Sequence, residues 1–232
     1  MKYEDYLWLV MQRALNRIPL LAQYPAFGRS VIVPTTGGLD SRIAAGMLKK
    51  LYYYQMPWTY WFRCPDNAGN EPHIRSIATV IGAELIIIDV PSLPGGFYEG
   101  TKKLNQIKVL KNYRLLVPFH MDVMAGMLKT RKKERKYFLQ TYKEMEVEFW
   151  MNYAPWGGII RPFDDPNMVG YFLSLPRWQR LFERAYIKML NKYLPELAYI
   201  PRCFEKGTGS PTPVHLGLTT YLGYRLFDRM MR

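Results

Sequence analysis

Val31-Ile32-Val33-Pro34-Thr35-Thr36-Gly37-Gly38-Leu39-Asp40-Ser41-Arg42 is the stretch that decides the fold, together with the Ile43-Ala44-Ala45-Gly46-Met47-Leu48 that follows it. A short apolar run leads into a two-glycine turn, and the turn leads into a helix. That order builds a cradle for pyrophosphate. Glycines let the main chain approach an anion because no Cβ stands in the way. Thr36 and Ser41 add hydroxyls. The helix that starts near Asp40 points its first N–H groups and the positive end of its dipole at the loop. Asp40 would repel a bare phosphate, so it fits either as a helix N-cap or beside a magnesium ion. The spacing is neither G-x-x-x-x-G-K-[ST] nor G-x-G-x-x-G, which argues against a Walker-type loop and a dinucleotide loop. An ordinary strand-to-helix turn capped by Asp40 or Ser41 fits the same residues.

Beyond the loop, strands and helices alternate. A helix is expected from Ser41 to Tyr54, and Trp58-Thr59-Tyr60-Trp61-Phe62 reads as a buried parallel strand. Pro65 to Asn70 is a loop by its turn residues. Glu71 to Ile81 follows as a helix, with Pro72 in its first turn and Gly82 at its end. Leu85 to Val90 is the next strand, Pro91 to Gly96 a loop, and Glu99 to Lys111 a lysine-rich helix. Leu115 to Phe119 gives a fourth strand, ending at His120 and Asp122. The pattern predicts an α/β fold: a parallel sheet with helices on both faces. In such sheets ligands bind beyond the carboxyl ends of the strands. The glycine loop, Arg63, Asp89 and Asp122 all fall there.

The flanks read as helical. Tyr3, Leu7, Val10 and Ala14 recur at helical spacing, with Tyr6, Met11, Leu15 and Ile18 beside them. This predicts a helix packed on the domain, with a membrane or partner helix as the alternative. From Pro162 onward no strand alternation is visible, and Trp178, Leu181, Phe182 and Ala185 repeat at helical spacing, as do Tyr186, Met189 and Leu190. A helical C-terminal layer is expected. The whole chain reads as one domain: residues 1–27 a helical segment, 28–128 an α/β nucleotide-binding core, 129–232 mainly helical.

The 232 residues carry 32 Lys and Arg against 19 Asp and Glu, a net charge of +13 that favours polyanions such as nucleotides, RNA or an anionic membrane surface. Thr130-Arg131-Lys132-Lys133-Glu134-Arg135-Lys136 is either a solvated face or a phosphate-contacting patch. Cys64 and Cys203 form no disulfide framework and no metal-ligand spacing, so a reducing, cytoplasmic setting is expected. No apolar run reaches the length of a membrane span. Glu4, Asp5, Arg13 and Arg17 interrupt the first apolar residues, which argues against a signal peptide.

Thr36-Gly37-Gly38-Leu39-Asp40-Ser41 resembles the S-G-G-x-D-S signature of the PP-loop ATP pyrophosphatases, and within them the synthetase domain of the asparagine synthetase family. The resemblance continues through Leu115 to Gly126, in the place of the family's G-x-G-x-D-E-x-x-x-G. Arg161-Pro162-Phe163-Asp164-Asp165 resembles its P-F-L-D. Leu173 to Pro176, Tyr186 to Leu190 and Leu194-Pro195-Glu196-Leu197-Ala198-Tyr199-Ile200-Pro201-Arg202 then follow in the family's order. The similarity runs from about residue 28 to about residue 215. Two departures stand out. The second motif keeps Asp122 and Gly126 but has Val123 where the family has Glu, and Arg42 replaces the second serine of S-G-G-L-D-S-S. Arg42 would either fork onto phosphate oxygens or extend into solvent.

The resemblance implies an adenine nucleotide alpha hydrolase-like fold and an AMP-forming carbon–nitrogen ligase using ATP and magnesium. Thr35, Thr36, Gly37, Gly38, Leu39, Asp40, Ser41 and Arg42 would line the triphosphate. Main-chain groups near Phe62 and Arg63 would recognise adenine. Asp40 and Asp122 would hold the metal, and Lys206 would stabilise charge in the second half-reaction. The substrates would be a small carboxylate and an amine. About 27 residues precede the first strand, with no N-terminal cysteine nucleophile, so nitrogen is expected from free ammonia, another amine or a separate ammonia-supplying subunit. Two alternatives remain open at this level. One is a PP-loop enzyme that modifies tRNA, suited to the basic charge. The other is a nucleotide-binding scaffold without turnover, motivated by the altered second motif.

Overall fold

The computed structural model describes residues 2–16, 31–52, 58–93, 96–110, 114–116, 159–160, 176 and 184–203. Five strands among them form one sheet: β1 (Val31–Pro34), β2 (Trp58–Arg63), β3 (Glu84–Asp89), β4 (Arg114–Leu116) and β5 (Ile159–Ile160). Their order is β3-β2-β1-β4-β5, and every neighbouring pair is parallel. The helices described are α1 (Tyr3–Asn16), α2 (Leu39–Tyr52), α3 (Glu71–Ile81), α4 (Phe97–Asn105), α5 (Arg184–Tyr193) and α6 (Pro195–Ala198). The α/β class expected from the alternation is present.

Parallel neighbours require crossovers, and crossovers have a preferred right hand. The chain steps outward from β1 through α2 to β2 and through α3 to β3. It then returns through α4 to β4, on the far side of β1. Reversing the direction of travel moves the connecting helix to the opposite face. Packing agrees. Ile43 and Met47 of α2 and Ile77 and Ile81 of α3 share one core with Val31, Val33 and Leu116. Leu104 of α4 shares a second core with Ile32, Tyr60, Phe62 and Ile88. Alternate residues of β1 therefore serve opposite faces, as the two-residue strand period demands. The order reverses between β1 and β4, and that crevice is the switch point where open sheets of this kind bind ligands.

The terminal helices cover the α2–α3 face. Leu7, Met11 and Leu15 of α1 and Tyr186, Met189 and Leu190 of α5 are buried in the first core. Trp8 stacks on Tyr193 with ring centroids 4.6 Å apart, and Asp5 accepts hydrogen bonds from Tyr193 Oη at 2.6 Å and from Lys192 Nζ. α1 is packed on the domain, as expected, but its buried stripe is Glu4, Leu7, Trp8, Met11, Ala14 and Leu15. Tyr6 is 41% exposed, so the stripe is rotated from the expected one towards Trp8.

Other boundaries differ modestly. α2 starts at Leu39 and includes Asp40, so Asp40 lies in the first helical turn and not at the N-cap. There its carboxylate suits the positive end of the helix dipole. α4 spans Phe97–Asn105, and Lys108–Leu110 forms a separate 3₁₀ turn that buries Leu110. β5 leaves no signal in the sequence, because a two-residue strand is too short to show periodicity. No helix among the described residues is long and apolar enough to cross a membrane.

Candidate functional site

The loop Thr35–Gly38 joins β1 to α2 at the carboxyl edge of the sheet. Thr35 continues the β1–β2 ladder, its N–H donating to the Tyr60 carbonyl at 2.8 Å. Its hydroxyl points inward. Thr59 Oγ1 donates to the Val33 carbonyl at 2.7 Å, so the Thr59 proton is committed and Thr35 must be the donor in the Thr35–Thr59 hydroxyl pair. Thr35 fixes the root of the loop, and its side chain is 2% exposed.

Thr36 and Ser41 form the open part. Thr36 Oγ1 and Ser41 Oγ lie 3.1 Å apart, Ser41 Oγ accepts from Thr36 N–H at 3.3 Å, and Thr36 Oγ1 accepts from Gly38 N–H at 3.3 Å. Two hydroxyls carry two protons, and their mutual bond uses one. Among the described residues the second proton meets no acceptor. Thr36 is exposed and Ser41 is buried.

The two glycines differ. Gly37 has φ +76°, where L side chains are strained, and a Cβ there would lie 2.6 Å from Cys203 Cβ and 3.1 Å from Ile74 Cδ1. Its need for glycine comes from protein packing and not from a ligand's approach, contrary to the expectation for both glycines. Among the described residues, a Cβ on Gly38 would meet Thr36 Oγ1 alone, at 3.3 Å, so Gly38 is far less crowded than Gly37. Leu39, expected to line the triphosphate, is buried in the core at 1% exposure, so only its main chain can face the loop.

Arg42 is fully buried. Its Nη2 donates to the carbonyls of Gly37 and Pro201, both at 3.0 Å, and its Nη1 to Leu197 at 3.0 Å and to Ile200. Neither a phosphate fork nor a solvated side chain describes this guanidinium. Four carbonyls compensate the cost of burying its charge. Burial, and then the Arg42 charge, hold His73 on α3 below the usual imidazole range. Burial pushes the Cys203 thiol up to about 11, partly offset by Arg42, so it is protonated at neutral pH.

At the end of β2, Arg63 is held on two sides. Asp89 accepts from Nε at 2.6 Å and from Nη2 at 3.0 Å, and Glu71 accepts from Nη1 at 2.8 Å. The Arg63 hydrogen bonds hold the Asp89 carboxyl below its ordinary range, and those of Arg75 and then Arg63 do so for Glu71. The Phe62 ring is buried in the second core, where a Cβ on Gly100 of α4 would touch it at 2.7 Å. At that strand end the Arg63 carbonyl already accepts from Val90 N–H at 2.8 Å. Asn67 shapes that end, accepting from Cys64 N–H at 2.9 Å and donating to the Phe62 carbonyl at 3.1 Å. Asn67 and the 197–203 turn were not singled out from sequence as site-forming. An Asn two residues after Pro65 is a turn signal, whereas nothing local announces a contact across 155 or more residues.

No family model matches this chain, and no curated protein matches it.

Asp122 and Lys206 lie outside the described residues, as do His120, Val123, the basic run 130–136 and the stretch 161–165. Among the described residues no cluster of three His, Cys, Asp or Glu side chains is arranged to hold a metal ion. Asp40 is half-buried on the first turn of α2, beside the Thr36–Ser41 pair in sequence. The loop thus brings the Thr36–Ser41 hydroxyl pair and Gly38 to the start of a 14-residue helix at the sheet's switch point. That donor set suits an anion.

Proposed function

We propose that this chain binds ATP with its triphosphate in the Thr36–Ser41 loop and is an AMP-forming amide ligase of the asparagine synthetase type. The observation that carries the proposal is the Thr36–Gly38 turn at the carboxyl end of β1, next to the crevice between β1 and β4, with α2 starting directly after it. The order β3-β2-β1-β4-β5 with parallel neighbours supports this reading, since doubly wound α/β sheets bind nucleotides at such an edge. The finer assignment, an adenine nucleotide alpha hydrolase-like fold with a helical C-terminal layer, belongs to the same proposal.

An oxygen of the substrate carboxylate attacks the α-phosphorus. The bond from that phosphorus to the bridging oxygen breaks, and pyrophosphate leaves with the electron pair. An amine nitrogen then attacks the acyl carbon, the bond to AMP breaks, and the nitrogen loses a proton. The protein contributes position and charge neutralisation. The loop amides and the Thr36–Ser41 pair receive the departing pyrophosphate. Magnesium, held by Asp40 and Asp122, would neutralise phosphate charge, and Lys206 would face the second step.

The test is product analysis with ATP, magnesium and a panel of carboxylates and amines. The expected products are AMP and pyrophosphate, formed only when an acid is present and at least about 100-fold more slowly in Asp40→Ala, the scale of losing one electrostatic stabiliser. ADP and phosphate would defeat the proposal. A second proposal, adenylation of a tRNA base, is favoured by the net charge of +13. It predicts tRNA binding that weakens steeply with salt.

A further inference from the structure

We propose that Arg42 is a positioning residue that makes the glycine loop and the 197–203 turn one unit, so that an anion in the loop is sensed at the turn. The inference rests on the loop being an anion site, as proposed above. Its foundation is geometric. Arg42 belongs to the first turn of α2, yet it holds the Gly37 carbonyl together with those of Leu197, Ile200 and Pro201. The Gly37 carbonyl also accepts from Cys203 N–H at 3.2 Å. One oxygen is thus gripped from both partners of the contact.

The peptide group is planar, and in the trans form its N–H points opposite to its C=O. Fixing the Gly37 carbonyl therefore fixes the direction of the Gly38 N–H. That amide donates to Thr36 Oγ1 at 3.3 Å, so fixing it also sets the Thr36 hydroxyl's place in the loop. Arg42 never needs to touch an anion to orient a donor for it. The same guanidinium gathers carbonyls at and just beyond the end of α6, whose Leu197 and Ala198 are buried in the first core. Coupling of this kind is reciprocal: what steadies the loop steadies the turn, and the reverse.

The probe is magnesium pyrophosphate, with amide hydrogen exchange read residue by residue on wild type, Arg42→Lys and Arg42→Ala. Arg42→Lys keeps charge and stem but brings one nitrogen to four carbonyls, and it carries the test if Arg42→Ala does not fold. In wild type, pyrophosphate should slow exchange at Gly38 and across 197–203 together. In Arg42→Lys, affinity should fall about tenfold or more, the scale of one charged hydrogen bond. Exchange at Gly38 and at the turn should rise together while β3 stays protected. Methylguanidinium should restore pyrophosphate binding to folded Arg42→Ala. Protection of the loop without the turn, or unchanged affinity in Arg42→Lys, would overturn the inference. If pyrophosphate does not bind wild type, the anion loop itself fails. In that case a joint rise in exchange at Gly38 and the turn in Arg42→Lys would still support the single unit, and independent changes would overturn it.

Discussion

Gly37 and Gly38 are adjacent and chemically identical, and the fold asks different things of them. Gly37 sits at φ +76° against Cys203, whereas a Cβ on Gly38 would meet, among the described residues, the Thr36 hydroxyl alone. Gly37→Ala should combine left-handed strain with a clash at 2.6 Å, a loss of about 2 kcal/mol or more. Gly38→Ala should cost well under half of that. Urea unfolding of the two variants side by side checks this, and equal losses would contradict the assignment. The G-G pair was legible in sequence as a special turn, but which glycine serves packing was not, because the partner, Cys203, lies 166 residues away. Arg42 shows the same limit. Its place at the helix start was readable, while its four carbonyl partners follow from the tertiary fold. Thr35 adds a third case: it is one of two adjacent threonines, yet its hydroxyl faces Thr59.

At the scale of elements, the alternation from β1 to β3 was the most legible part. Each strand there is a continuous apolar run, and α3 carries its own stop signal, Gly82 at φ +75°. α4 and β5 were less so. Lysines dilute the apolar residues of α4, and Ile159–Ile160 is set by pairing with Leu115 and Leu116. For α1 the helical period was clear but its phase was not, since Trp8 is drawn inward by the Tyr193 ring and Lys50 Nζ lies 5.8 Å from it. Asp5 makes the docking of α1 sensitive to acid. Lys192, and then Tyr193, hold its carboxyl below the ordinary value of 3.8 by hydrogen bonding. A carboxyl lowered in the folded state adds stability that is complete above the unfolded value and is lost as pH falls through the folded one. α1 should therefore loosen below about pH 4, the ordinary aspartate range. Asp5→Asn should loosen it at neutral pH and flatten the acid dependence. Amide exchange within α1, followed from pH 6 to pH 3, measures both, and an unchanged profile in Asp5→Asn would contradict the assignment.

At the scale of the whole molecule, one topological fact organises the rest. The chain leaves β1 in one direction and comes back on its other side, so the first loop opens at the reversal of the sheet. The loop, the end of β2 with Phe62 and Arg63, and the 197–203 turn are gathered at that edge from three distant parts of the sequence. The parallel sheet could be inferred from strand–helix alternation, but the C-terminal turn's return to the loop could not, because no local pattern encodes it. The central claim is that this edge holds a nucleotide by its phosphates. The most direct test is a titration of wild-type protein with magnesium ATP, following the amide resonances of the chain. Saturable shifts are predicted at Thr36 to Ser41 and at the end of β2, with pyrophosphate reproducing the first set and not the second. Shifts confined to other surfaces, or none at millimolar ATP, would contradict the account.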